Sequence, residues 1–267
     1  MHWLTAAFDW QSRAVVERHL RVHLRNWHTA FLPPALEPVT SLLAFGLGLG
    51  SYVGALAWHG RNVPYLSFIA PGMLAYTTFM TAMFQSLYAA FIRMHFQKTW
   101  EGQLTTQVEL RHVVWGEVLW AAVLTTIYAS IVATVLAVCR LLGFLDVSLT
   151  WLPALLPVVF VAACGFSALG LLFTALIPTI DHMNLPIFLF VLPLALFSGT
   201  YFPLEHPIAR GISAVNPVYH LAEGLRGVLV GGGATLHLVA ATALSLAMLA
   251  VLVPLDLRLL SRRVLGE

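Results

Sequence analysis

The sequence predicts an all-α polytopic membrane protein with six transmembrane helices, and three observations predict it. Hydrophobic residues make up 59% of the 267 and charged residues only 10%, against roughly 45–50% apolar residues in soluble domains, and mean hydropathy is +0.84. The apolar residues gather into runs approaching the ~20 needed to cross hydrocarbon. The charges collect in a few segments between those runs, of which residues 93–113 form the longest. Six spans take about half of the chain, so residues 1–267 read as one transmembrane domain.

Residues 8–31 are too polar to cross. Val16, Leu20, Leu24, Trp27 and Phe31 recur on one helical face while Arg18, Arg21 and Arg25 gather on the other, which is the pattern of an interfacial helix. A helix packed on protein would carry the same pattern. His19 and His23 stand four apart without a third ligand on that face, so no metal is expected there. Pro33 and Pro34 should end this helix.

The first span is expected over Ala35–Ala57, where Gly46, Gly48, Gly50 and Gly54 would admit a close neighbour. A short loop follows, then a second span over Leu66–Ile92. The polar segment Arg93–Val113 comes next, long enough for a short helix on the membrane surface. Spans three to five are expected over Val114–Cys139, Leu152–Ile177 and Asn184–Tyr201. Glu117, in the first turn of the third span, should sit at the interface without a buried partner.

Residues 202–233 contain Pro203, Pro207 and Pro217 and end in three glycines. Two short helices fit, Ile208–Val215 and Pro217–Leu229, each too short to cross. They predict a re-entrant extracytoplasmic hairpin or a plain external loop. Glu223 and Arg226, three apart, can pair on one helix face. The last span runs over Leu236–Leu257, with Arg258, Arg262 and Arg263 beyond it.

Arg61, Arg140, Arg210 and Arg226 fall on one side of this scheme and the other ten of the 14 Lys and Arg on the opposite side. Short cytoplasmic segments hold the excess of positive charge, so both termini should be cytoplasmic. Trp58, Tyr65, Trp115, Trp151 and Tyr201 fall near span ends, where amphipathic rings settle.

Several chemistries find no support. Lys98 is the one lysine and follows His-Phe-Gln, so there is no phosphate-binding P-loop. HExxH, GxSxG and paired-carboxylate arrangements are missing, and the histidines are scattered. Cys139 and Cys164 lie in apolar runs and read as free thiols. No removable signal peptide is expected, the first span serving as insertion signal. The middles of the spans carry almost no charge, against an ion-driven carrier. Uphill transport would need an outside energy source.

Four stretches carry a resemblance: FIAPGM (Phe68–Met73), FIRM with KTWEGQLTT (Phe91–Thr106), FSGTYFPLE (Phe197–Glu205) and NPVYHLAEGLRG (Asn216–Gly227). In order and spacing they resemble the ABC-2 type ABC-transporter permeases over nearly the whole chain, and among these most the permeases of lipo-oligosaccharide exporters. The resemblance implies an export pump of two permease copies, a homodimer, and two separate ATPase subunits in a bacterial inner membrane. ATP and Mg would be bound by the ATPase, leaving this chain a non-enzymatic transport subunit with no cofactor or nucleic-acid partner.

On that pattern Thr99–Leu110 maps onto a coupling helix. Trp100 and Leu104 would fill apolar pockets of the ATPase and Glu101 would meet its polar groups, with Thr99 and Gln103 beside them and Arg18, Arg21 and Arg25 flanking. The cargo would be an amphiphile, a lipo-oligosaccharide or lipid-linked glycan, passing Tyr76, Phe79, Phe188, Phe197 and Tyr201. Glu205, Glu223 and Arg226 would form an outer gate. Competing readings keep the architecture with a drug, polysaccharide or peptide cargo, or make the chain a membrane-embedded lipid or haem enzyme, or a structural subunit.

Overall fold

The computed structural model describes residues 2–233 and 235–266; the side chains of residues 2, 29–35, 38 and 47 lie outside that description. After one helical turn, His2–Thr5, comes helix α1, Trp10–Arg25. Its Ser12, Val15 and His19 are buried, a spacing that lays one face against the bundle. The chain kinks at Asn26 (φ −115°, ψ 37°) and continues as α2, Trp27–Leu43, which runs on through a π turn, Ala44–Leu49, to Val53. The break therefore falls at Asn26 and not at Pro33 and Pro34. Helices near or in a membrane keep prolines when neighbouring groups take up the freed carbonyls. Phe31, expected on the apolar stripe, is among the side chains outside the description.

Gly54 (φ 68°) ends that helix and a hairpin follows, β1 (Ala55–Trp58) antiparallel to β2 (Arg61–Pro64), with Trp58 opposite Arg61. Its turn, His59-Gly60, has positive φ at both residues (47° and 75°), which fits the strand-matching twist of a type I′ turn. The expected loop is thus a hairpin, and the first expected span stops short of it.

Helix α3, Tyr65–Phe84, extends through two π turns to Phe96. The short α4 is Thr99–Leu104, and α5 and α6 are Leu110–Leu141 and Leu152–Leu176. Next comes α7, Ile180–Leu196, of mixed 3-10, α and π turns. The chain closes with α8 (Pro207–Ser213), α9 (Pro217–Arg226) and α10 (Thr235–Val264). Among the described residues, four helices are long and apolar enough to cross a membrane: α3 with its extension, α5, α6 and α10. The apolar stretches Val39–Val53 and Ile180–Leu196, where spans one and five were expected, are shorter.

Close approach sets the packing. A Cβ on Gly165 of α6 would lie 2.9 Å from Ser245 Cα of α10, so only glycine lets these two backbones meet. Between α3 and α6, Ser86 and Ser167 hydroxyls lie 2.5 Å apart, and Thr174 donates to the carbonyls of Ser86 (2.6 Å) and Leu87 (2.9 Å). Those carbonyls belong to the π turn Gln85–Ala89, where the wider turn frees acceptors that hydrocarbon cannot satisfy. Arg263 of α10 donates to the carbonyls of Thr174 (2.7 Å) and Ile177 (2.5 Å), capping the C-terminal end of α6. The last turns of α3, α6 and α10, the first turns of α5, and α1 and α4 therefore share one end of the bundle. The β-hairpin and α9 occupy the other.

Candidate functional site

At the α4 end, four elements converge on one carboxylate. A capping box between Glu109 and His112 starts α5, and Glu117 follows two turns later, 1% exposed. Arg93, near the end of α3, grips it bidentately through Nη2 and Nε, the latter at 3.0 Å. The Trp100 indole N–H donates to Oε1 at 2.9 Å, and His19 Nε2 of α1 approaches to 3.4 Å. Glu117 is thus a buried, paired carboxylate and not the interfacial charge expected of it, because a charge this buried persists only when paired and hydrogen-bonded.

Trp100 is fully buried, so its ring belongs to this chain's own core and does not project toward a partner. That corrects the outward role expected of it. Lys98, at φ 52°, turns the chain into α4 and ion-pairs Glu101 at 2.6 Å on the exposed side. Glu101 and Gly102 are exposed, and Thr99, Gln103 and Leu104 are half-buried. The outward face of α4 is therefore made by Glu101 and Gly102, while Leu104, one turn on from Trp100, packs partly against the core.

Helix α1 is fastened to the same node. A Cβ on Gly116 would collide with the Val15 side chain. Ser12 donates to His112 O at 3.3 Å, Asp9 meets His112 Nε2 at 3.2 Å, and Trp115 donates to Trp3 O at 2.6 Å. His23 sits edge-on to Trp120 and beside Tyr128, and burial pulls its pKa below the usual imidazole value. His19 and His23 are thus engaged by Glu117 and by aromatic rings. Arg18, Arg21 and Arg25 are exposed, Arg21 pairing with Glu17 at 2.6 Å.

At the other end, Arg226 is fully buried beneath the Phe68 ring, its carbon 3.8 Å from the centroid. It donates to Phe68 O at 3.0 Å and Gly199 O at 2.8 Å and pairs with Glu223. The Trp58 indole donates to the other Glu223 oxygen at 2.9 Å. Glu223 and Arg226 do pair as the spacing implied, but in a buried lock that joins the hairpin, α3 and α9. Glu205 is exposed and apart from them, so the three expected gate residues are not brought together. Trp58, expected at the head groups, is buried in this lock. The helix N-cap Asn216 also donates to Leu194 O (2.8 Å) and Phe197 O (3.0 Å), capping α7.

The expected aromatic path separates into parts. Tyr201 meets Tyr76 (6.0 Å between centroids) and Phe45 (5.1 Å), a trio from the 197–206 loop, α3 and the π turn after α2. Phe79 is fully buried, edge-on to Phe166, and cannot line a path. Phe188 points outward, 69% exposed, and Phe197 is half-buried. Sequence reasoning missed Arg93 and Phe45. A weak signal existed for Arg93, since an arginine and a glutamate close two consecutive spans at the same end. Phe45 carried none. It also missed Asp256 of α10, fully buried with neither oxygen hydrogen-bonded among the described residues.

Helices of this length and apolarity mark a membrane protein, and the chain belongs to the ABC-2 type transporter family, which it matches over residues 11–230. It is 33% identical over 239 residues to Nodulation protein J of Sinorhizobium fredii (strain NBRC 101917 / NGR234), covering 87% of each chain. It is 34% identical to Nodulation protein J of Rhizobium leguminosarum bv. viciae, over 79% of this chain and 82% of that one. The Inner membrane transport permease YadH of Escherichia coli (strain K12) is 24% identical over 86% of this chain and 85% of its own.

Proposed function

We propose that the chain is the transmembrane subunit of an ATP-driven exporter that moves an amphiphile, a lipo-oligosaccharide or lipid-linked glycan, across a bacterial inner membrane. In this reading α2 and α7 complete six membrane segments, the α4 end is cytoplasmic, and α8–α9 form the re-entrant hairpin. Two permease copies work with two ATPase subunits that bind ATP and Mg. The observation that carries the reading is the seating of α4: its outward face offers Glu101, while its inward Trp100 reaches Glu117. A push on α4 from a nucleotide-driven partner would pass through Trp100 and Glu117 to α5, and through Arg93 to α3.

Glu101, Leu104 and the exposed Arg18, Arg21 and Arg25 are the proposed ATPase contacts, with Thr99 and Gln103 beside them. The Tyr76–Tyr201–Phe45 trio is the proposed place where sugar faces stack. The alternative cargo, a drug-like hydrophobic compound, keeps every other role. Co-purification of an ATP-binding cassette subunit with the tagged chain tests the reading. Capture of that subunit, and its loss on Glu101→Arg with Leu104→Asp, is expected; unchanged capture by the double variant overturns the docking role.

A further inference from the structure

A cavity of about 410 Å³ lies between α1 and the last turns of α3, directly beside the Glu117 node. Arg18, His19 and His23 line it from α1, Gln85 and Arg93 from α3, and Trp120 closes it from α5. Its walls mix charged, polar and apolar side chains, as a cleft between an amphipathic interfacial helix and the end of an apolar one does. Arg18 is exposed and has no ion-pair partner among the described residues. Arg93 commits Nε and Nη2 to Glu117, and its Nη1 makes no hydrogen bond among the described residues.

Net charge and donors decide the ligand. Glu117 balances the charge of Arg93, so among the described residues the slot is left with the unpaired positive charge of Arg18, the free Nη1 of Arg93 and the Gln85 amide as donors. That combination suits a monoanionic group with several acceptor oxygens. Val22 of α1, an exposed apolar side chain, and Ala89 and Ile92 of α3 line the slot beside its polar groups, so an apolar tail can lie against them. Basic pockets between membrane helices suit lipid phosphates for the same reasons.

We propose that this slot binds the phosphate headgroup of an amphiphile from the adjoining leaflet, and that α4 senses its occupancy through Arg93 and Glu117. The second half rests on the permease reading. A phosphate drawing on Arg93 would loosen or redirect its grip on Glu117, and Trp100 hangs from the same carboxylate.

The test uses the purified full chain in detergent, titrated with dioctanoyl phosphatidylglycerol and followed by native mass spectrometry. Parallel arms use dioctanoyl phosphatidylcholine and inorganic phosphate alone. Arg18→Gln should weaken phosphatidylglycerol binding about tenfold, the loss of one charge-assisted contact. Arg18→Lys should restore much of it, and Arg140→Gln should leave it unchanged. Equal binding by Arg18→Gln overturns the site, as does phosphatidylcholine binding as tightly as phosphatidylglycerol. Displacement by inorganic phosphate at equal concentration overturns the amphiphile in favour of a soluble anion. Amide exchange over residues 99–104 should change on lipid binding, and unchanged exchange overturns the sensing role. No ATPase is present, so failure here leaves the permease reading standing, and failure of co-purification leaves the slot standing.

Discussion

The Trp100 indole and the Glu117 carboxylate meet at 2.9 Å, one from the surface helix α4 and one from inside α5. Through this contact α4 is keyed into the bundle. Trp100→Phe keeps the ring and removes the N–H. It should cost about 1 kcal/mol, and the chain should still fold. Partner-stimulated ATP hydrolysis, measured against thermal melting, should fall by more than the stability change accounts for. A variant that hydrolyses normally while melting earlier would show the bond to be structural only.

Glu117→Leu alone strands Arg93 without its counter-charge and should destabilise the fold by about 3–5 kcal/mol. Glu117→Leu with Arg93→Met removes both charges and should recover most of that. A double-mutant cycle from denaturation midpoints checks it, and additive effects would mean that the pair is not coupled.

Asp256 is buried in α10 with both oxygens lacking a hydrogen bond among the described residues. Replacing such a group with an apolar side chain of similar size removes a penalty of about 1–3 kcal/mol. Asp256→Leu should raise the melting temperature. A loss of transport with raised stability would assign Asp256 a working role that stability alone does not reveal.

Burial lowers the pKa of His23 from its ordinary value of about 6.5. The unfolded chain therefore binds the proton more readily than the native one, and stability rises with pH across that window. Above about pH 6.5 His23 costs nothing; its penalty grows as pH falls through 6.5 toward the native pKa. His23→Gln should flatten this part of the stability profile. An unchanged slope in chemical denaturation would place the pH dependence elsewhere.

Much of this architecture was legible in the sequence, since hydropathy alone located α3, α5 and α6 to within about four residues at each end and the start of α10 to within one, though α10 runs seven residues past the expected end. Arg18, Arg21 and Arg25 turned outward as their helical spacing required. What was not legible depends on contacts between distant segments. Glu117 reads as an end charge until α1, α3 and α4 are known to converge on it. The β-hairpin hid because His59 supplies a left-handed turn position that glycine or asparagine usually advertises. Pro33 and Pro34 misled because proline was read by soluble-protein rules, while Asn26 made the break.

The wide turn at Gln85–Ala89 has a consequence for everything that follows it along α3. Deleting one residue there, or tightening it to ordinary α geometry, would rotate the remainder of the helix by about 100° and shift it about 1.5 Å along its axis. Arg93 would swing away from Glu117, and the carbonyls held by Thr174 would turn back into their own helix. The bundle thus contains a built-in change of register, in which altering a single turn would redirect the arginine that anchors the opposite wall.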